Sequence, residues 1–296
     1  MTQLVLSPHC PRSIGEQIVQ LPFLSLLRQR REGPVVVAAP DDSYALLRAV
    51  GDVDTLVHLP RRLGARGWLS DVPALRRHGA GEVWQLRKRS IRSSLIARLA
   101  SSGPIHGFRG NLTYLFQRDS REFDRTVYLA ELYARLLDAT LDDFAVRPPR
   151  EDAGPALIIP GGLVPDKLYP LESWLRVAES LGRERSVEFV AGPGMERERD
   201  AARAVGFAVH ESPAFPELRR LVTGAAVVLG NDCGPTHFAH IHDVPRVTIF
   251  EHRIQWRHWH RPTPRACVLR GPAPGRIGDV SVEDVLAAAH EVMSAP

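Results

Sequence analysis

The sequence predicts an α/β protein of two domains, each built on a parallel sheet. Short apolar runs of strand length alternate with amphipathic runs of helical length. The alternation happens twice along the chain. Between the two series stands Arg147-Pro148-Pro149-Arg150-Glu151-Asp152-Ala153-Gly154-Pro155, where paired prolines, charges and a Gly-Pro step mark a linker. The 296 residues divide there into 1–150 and 151–296, each close to the ordinary domain size of about 150 residues.

In the first series, residues 4–6 form a short strand, and a loop through Pro8 to Ser13 follows. Ile18, Leu21, Leu24 and Leu27 then recur at helical spacing. The unbroken apolar run 35–39 reads as a strand buried on both faces. A helix over 43–50, a strand over 55–59, a short helix over 73–77, a strand over 82–86, a helix over 93–100 and a strand over 105–108 follow. A longer helical pattern covers 123–137. In the second series the strands fall at 156–159, 187–191, 207–209, 225–230 and 247–250. The helices fall at 171–181, 196–205, 216–222, from 236 to 241, and at 282–293. Ser281, with Asp284 three residues on, introduces the last helix as an approximate capping box.

Composition narrows the classes. Apolar residues are 44% and charged residues 24%, values that fill two cores and exclude global disorder. The net charge of +4 is too small to mark a nucleic-acid surface. Only Lys88 and Lys167 are lysines, and the other 36 basic residues are arginine. Each lysine therefore draws attention, because an ammonium and a guanidinium do different work. Three cysteines without a CxxC pair predict a reduced compartment and no structural zinc. With no leader-like start and no apolar run near the ~20 residues of a membrane span, the expectation is a soluble cytoplasmic protein.

In parallel α/β sheets, ligands bind at the carboxyl ends of strands, and five such loops carry candidate chemistry. The segment 230–240, Gly-Asn-Asp-Cys-Gly-Pro-Thr-His-Phe-Ala-His, leaves a strand and opens a helix. Its free N–H groups at a positive helix end suit an anion; an ordinary capped turn accounts for the same residues equally well. Pro160-Gly161-Gly162 with Lys167 offers close backbone approach and a point charge for phosphate, against the common alternative of a solvated loop lysine. Glu16, in the first turn of the first helix, is either a favourable charge–dipole contact or a carboxylate base at the mouth of a cleft between the domains. Arg87-Lys88-Arg89-Ser90-Ile91-Arg92, with Arg61, Arg62 and Arg66 upstream, suits an acidic sugar or phosphate, although a charge run is usually a solvated loop. No aromatic residues interleave with it, so nucleic acid is disfavoured. The histidines of 251–261 lack an HExxH pattern or a cysteine partner, so packing accounts for them better than a metal.

Taken in order, these segments resemble the ADP-heptose:lipopolysaccharide heptosyltransferase family, glycosyltransferase family 9. Ser13-Ile14-Gly15-Glu16 through Pro22 is similar to the family's opening motif of serine, isoleucine or leucine, glycine and aspartate. Gln85 to Leu99, Ile105-His106-Gly107-Phe108, and Pro160-Gly161 through Lys167 and Pro170 resemble its later segments. Asn231-Asp232-Cys233-Gly234-Pro235-Thr236-His237 resembles its asparagine-aspartate-threonine-glycine-proline-methionine-histidine signature, the most specific of the matches.

The resemblance implies a GT-B architecture, with two Rossmann-like doubly wound domains facing across a cleft. It puts the acceptor mainly on the first domain and the nucleotide sugar on the second, with the last helix free to pack back on the first. It implies inverting glycosyl transfer without a metal or other cofactor, from a nucleotide-sugar co-substrate such as ADP-heptose to a glycan or glycolipid acceptor. It also implies peripheral contact with the inner membrane. Residue by residue, Glu16 takes the place of the catalytic aspartate. Ser13, Gly15, Gly161, Gly162, Lys167, Asp232, Gly234, Pro235, Thr236 and His237 take the donor, and Arg61, Arg87, Lys88, Arg89 and Arg92 the acceptor. Four departures stand out: Glu16 for aspartate, Cys233 for threonine, Thr236 for methionine, and Glu251-His252-Arg253 where glycine and small residues are usual. Another nucleotide sugar, a natural-product or protein acceptor, or a binding protein without catalysis are the alternatives. No GxGxxG follows the first strand of either half, which disfavours a dinucleotide oxidoreductase.

Overall fold

The chain divides into two compact units, Met1–Ala145 and Val146–Pro296. The computed structural model describes residues 1–8, 14–59, 69–87, 90–110, 112–144, 154–162 and 164–296. Of the predicted linker, only Gly154 and Pro155 fall among them.

The first unit holds β1 (Thr2–Leu6), β2 (Val35–Ala39), β3 (Thr55–His58), β4 (Ala80–Gln85), β5 (Ile105–Phe108) and β6 (Asp119–Arg121). They form one sheet in the order β3-β2-β1-β4-β5-β6, parallel throughout. Its helices are α1 (Ile14–Ile18), α2 (Leu21–Arg30), α3 (Asp41–Val50), α4 (Val72–Arg76), α5 (Ile91–Ala100) and α6 (Leu129–Arg135). The second unit holds β7 (Ala156–Ile159), β8 (Val187–Ala191), β9 (Ala208–Glu211), β10 (Val227–Asn231), β11 (Arg246–Phe250) and β12 (Ala266–Arg270). These are again all parallel, in the order β12-β11-β10-β7-β8-β9. Its helices are α7 (Leu171–Leu181), α8 (Glu196–Ala204), α9 (Phe215–Thr223), α10 (Thr236–His242), α11 (Trp256–Trp259) and α12 (Val282–Ser294).

Counted from its own first strand, each sheet has the doubly wound Rossmann order. The order reverses between β1 and β4 in one sheet and between β7 and β10 in the other. The loops after those strands therefore open side by side, which is where such sheets hold ligands. The central strands explain themselves: β2, β7, β10 and β11 are buried along their whole length, as strands covered by helices on both faces must be.

The apolar stripe of α12 (Val282, Val285, Ala288, Ala289 and Val292) lies in the core of the second unit, against α7 and the β10–β12 side of the sheet. Ser281 Oγ accepts from Asp284 N at 3.0 Å, so half of the predicted capping box is made.

Three elements depart from the sequence reading. The helix predicted over 18–27 is two helices, α1 and α2, with Pro22 in the first turn of the second. The helix predicted over 123–137 shrinks to α6, because Asp124 Oδ1 accepts from both the N and the Oγ1 of Thr126 at 2.7 Å and holds that stretch as an Asx turn. Strands β6 and β12 have no predicted counterpart. Both are edge strands, and β6 is Asp-Ser-Arg with no apolar residue, paired to β5 along the backbone, with Asp119 Oδ2 4.0 Å from His106 Nδ1.

Candidate functional site

In the second unit the loops after β7 and β10 meet. Lys167 ends a single 3-10 turn, Pro165–Lys167, and its Nζ lies 3.0 Å from Asp232 Oδ2. Asn231, fully buried at the end of β10, accepts from Tyr169 N at 3.0 Å and donates to Pro160 O at 2.5 Å. Thr236 Oγ1 donates to Cys233 O at 2.7 Å, so its hydroxyl proton closes the turn into α10 from within. The glycines make room for packing. A Cβ on Gly161 would run into the Met195 sulfur, and one on Gly230 would approach Thr236 Cγ2 at 2.7 Å.

The bland account of segment 230–240, a turn capped by Asp232 or Thr236, is not what forms. The residue before α10 is Pro235, and among the described residues no side chain caps the helix. Gly234 and Pro235 carbonyls accept from His237 N and Phe238 N, both at 3.1 Å, and start the helix. Burial, opposed by Asp232 and aided by Lys167, holds His237 down to about 4; the ring is neutral, and among the described residues its Nδ1 has no hydrogen-bond partner. Burial pushes the Cys233 thiol up to about 12.

In the first unit the corresponding loops are tied by buried amides. Ser7 Oγ and Gln20 Nε2 both donate to Gln17 Oε1, at 3.1 and 2.6 Å, and Gln17 Nε2 donates to Pro8 O at 2.9 Å. Glu16 and Gly15 lie on α1 beside this knot, Gly15 buried and Glu16 half-buried. Arg87 reaches back from the end of β4, donating through Nε to Ser7 O at 2.9 Å and through Nη1 to Ser93 Oγ at 3.4 Å. Burial brings its guanidinium down to about 10, with Arg92 adding to the effect. Arg87 thus joins the β1 and β4 loops, while Arg92 is exposed. Ser13, Arg61, Lys88 and Arg89 lie outside the described residues.

Two buried charged residues of the second unit lie beyond the predicted site, and of these the sequence reading passed over Arg246. Glu251, raised as an unusual carboxylate, is buried and occupied: its two oxygens accept from Arg253 N at 2.7 Å and Gly275 N at 3.3 Å. Burial works to raise its carboxyl, but these donors and the Arg253 charge hold it low. Arg246, almost fully buried, donates to His240 Nδ1 at 2.9 Å, to Asp243 Oδ1 at 3.1 Å, to Val244 O at 3.0 Å and to Arg261 O. An arginine at the head of an apolar strand was the one available signal for that cluster. Among the described residues no group of three histidines, cysteines or carboxylates is arranged to hold a metal ion. Among the same residues no helix is long and apolar enough to cross a membrane.

Two parallel doubly wound units are the build of the α/β GT-B fold. The chain belongs to glycosyltransferase family 9 (heptosyltransferase), whose profile matches residues 75–257. A family 9 glycosyl transferase from Veillonella parvula superposes with a TM-score of 0.76 at 18% identity, covering 99% of this chain and 97% of its own. The Escherichia coli heptosyltransferase WaaC gives 0.73 at 20% identity, over 99% and 100%. The E. coli ADP-heptose lps heptosyltransferase II gives 0.72 at 18%, over 99% and 98%. At these identities the likeness is one of fold. No curated protein sequence matches the chain significantly.

Proposed function

We propose that this enzyme transfers a heptose, or a closely related sugar, from an ADP-activated donor to a hydroxyl of an acidic or polar glycan such as the lipopolysaccharide inner core. Transfer inverts the anomeric centre and uses no metal. The observation that carries the reading is the Lys167–Asp232 pair, 3.0 Å apart at the β7/β10 switch point of a family 9 chain. Two similar E. coli WaaC structures support the donor class, one with ADP and one with ADP-2-deoxy-2-fluoro heptose.

In this reading Lys167 neutralises the diphosphate as it leaves, and Asp232 accepts hydrogen bonds from sugar hydroxyls. Gly15, Gly161 and Gly162 allow close backbone approach, Ser13 joins them in taking the donor, and Gly234, Pro235, Thr236 and His237 border the phosphates. His237 does so as a neutral ring. Glu16 takes the proton from the acceptor hydroxyl. The oxygen then bonds to the anomeric carbon, and the carbon–oxygen bond to the diphosphate breaks with its electron pair. Arg61, Arg87, Lys88, Arg89 and Arg92 serve an anionic acceptor. A lipid-borne acceptor puts the protein at the cytoplasmic face of the inner membrane.

The test is a panel of nucleotide sugars read by thermal shift, with and without Lys167→Ala, followed by turnover with Glu16→Gln. A bound ligand raises the melting temperature by mass action. Stabilisation by ADP-heptose that vanishes in Lys167→Ala, with transfer lost in Glu16→Gln while donor binding persists, is the expected result. Stabilisation by a different nucleotide sugar moves the donor assignment. Binding without transfer or hydrolysis in the wild type makes the chain a binding protein, with the longer side chain of Glu16 as the reason.

A further inference from the structure

Asn231 sits at the end of β10 with its side chain wholly buried, and both halves of its amide cross to the loop after β7. Oδ1 accepts from Tyr169 N at 3.0 Å and Nδ2 donates to Pro160 O at 2.5 Å. These partners bracket residues 161–168, the segment that carries Gly161, Gly162 and Lys167. The Tyr169 end is itself anchored. Its Oη donates to Val280 O at 2.9 Å, and its ring packs edge-on against Trp174 with centroids 5.1 Å apart. The residue next to Asn231 is Asp232, which receives the Lys167 ammonium. One residue holds the loop at both ends, and its neighbour takes the loop's charge.

The joint asks for a primary amide. It needs one acceptor for an N–H and one donor for a C=O, at a fully buried position. Alanine supplies neither. An ionised aspartate keeps the acceptor but turns a second negative oxygen towards the Pro160 carbonyl, whereas a protonated one has both functions again.

We propose that Asn231 is a positioning residue for the donor: it sets the 161–168 loop so that Lys167 stands over Asp232 where the diphosphate binds. The inference rests on the donor-site reading above. A residue that only held the fold would affect stability; this one also sets nucleotide affinity, with a dependence on pH that belongs to its replacement.

The experiment compares the wild type with Asn231→Ala, Asn231→Asp and Tyr169→Phe. Hydrogen exchange of the ligand-free proteins is read over 161–168, with β8 and β9 as the internal control. ADP is titrated by calorimetry at about pH 7.5 and about pH 5.5, the second low enough to protonate a carboxyl that burial has raised. Exchange over 161–168 is expected to quicken while β8 and β9 stay protected. ADP affinity should fall about tenfold in Asn231→Ala and Asn231→Asp at the higher pH. At the lower pH, Asn231→Asp should recover relative to the wild type and Asn231→Ala should not. Tyr169→Phe keeps the backbone bond and loosens its anchor, so it should show a smaller loss, and it serves in place of Asn231→Ala if that variant does not fold. Unchanged affinity in the variants of a wild type that binds ADP overturns this proposal alone, as does an Asn231→Asp loss that ignores pH. A folded wild type that does not bind ADP overturns the donor-site reading and this proposal with it.

Discussion

Lys167 and Asp232 stand 3.0 Å apart across 65 residues of sequence, on loops that leave adjacent strands. Their exposures differ, 28% for the lysine side chain and 9% for the aspartate. Lys167→Ala therefore strands a nearly buried carboxylate, whereas Asp232→Asn leaves an ammonium that water can reach. We expect Lys167→Ala to lower stability by about 1–3 kcal/mol and Asp232→Asn to lower it less. For function the order of harm divides differently. Lys167→Ala should abolish the ADP-induced rise in melting temperature, because the phosphate loses its charge partner. Asp232→Asn should keep that rise but lower transfer by about 100-fold, because the proposed function places it on the sugar. Urea titrations and ADP-dependent melts on the two variants check both halves.

Cys233 replaces a hydroxyl residue in the family signature, and its thiol is pushed up to about 12 by burial. A thiol nucleophile needs its thiolate. At about pH 8 only about one part in ten thousand is ionised, so Cys233 should resist iodoacetamide in the folded protein and react once the protein is unfolded in urea. Peptide mapping of alkylated samples reads this directly. Rapid labelling of Cys233 in the native state would show that the turn into α10 opens to solvent.

How much of this was readable from the residues depends on what each one does. The alternation of apolar and amphipathic runs carried the two parallel sheets, because buried parallel strands must be apolar on both faces, whereas their doubly wound order was implied only by the family resemblance. The glycine and proline loops around Lys167 and Asp232 were legible for the same local reason. Strand β6 was not, since Asp119, Ser120 and Arg121 carry no apolar signal. Nor was the end of the helix predicted over 123–137, which is decided by the Asp124–Thr126 turn. The role of Asn231 was hidden altogether. Its partners lie 62 and 71 residues away, and only the fold brings them to it.

Arg246 is the largest buried charge in the second unit, and its guanidinium is bonded to His240, Asp243, Val244 and Arg261. Asp243 has a second donor in Thr263 Oγ1 at 2.8 Å, but Arg246 is its charge partner at 3.1 Å. Arg246→Met fills the volume and leaves that carboxylate buried without its cation. Breaking a buried pair in this way costs about 3–5 kcal/mol, and we expect the urea midpoint to fall accordingly. Asp243→Asn, which keeps an oxygen for Arg246 and Thr263, should cost less. Equal midpoints for wild type and Arg246→Met would mean that the arginine's bonds do no more than repay its desolvation.

The histidines around this arginine set the response to acid. Burial lowers His237 to about 4 and His260 to about 3, and it holds His240 well below its ordinary value, with the Arg246 charge adding to the effect at His240 and His260. Arg246 Nε donates to His240 Nδ1, so that nitrogen must be unprotonated. In the unfolded chain each ring titrates near 6.5. Between that value and the folded ones, the unfolded state binds protons that the folded state refuses, so stability falls as pH falls. The contribution is fully present above about pH 6.5 and drains away towards pH 4 and below, with up to about 1.4 kcal/mol per pH unit from each histidine. Melting temperatures measured across that window should drop steadily on the acid side and stay level above it. His260→Phe removes one of these rings while keeping an aromatic group against Phe250, Trp256 and His240. It should flatten the acid slope without lowering the melting temperature at neutral pH by a comparable amount. An unchanged slope in that variant would move the acid sensitivity away from the cluster and onto the carboxylates, whose own titration begins lower.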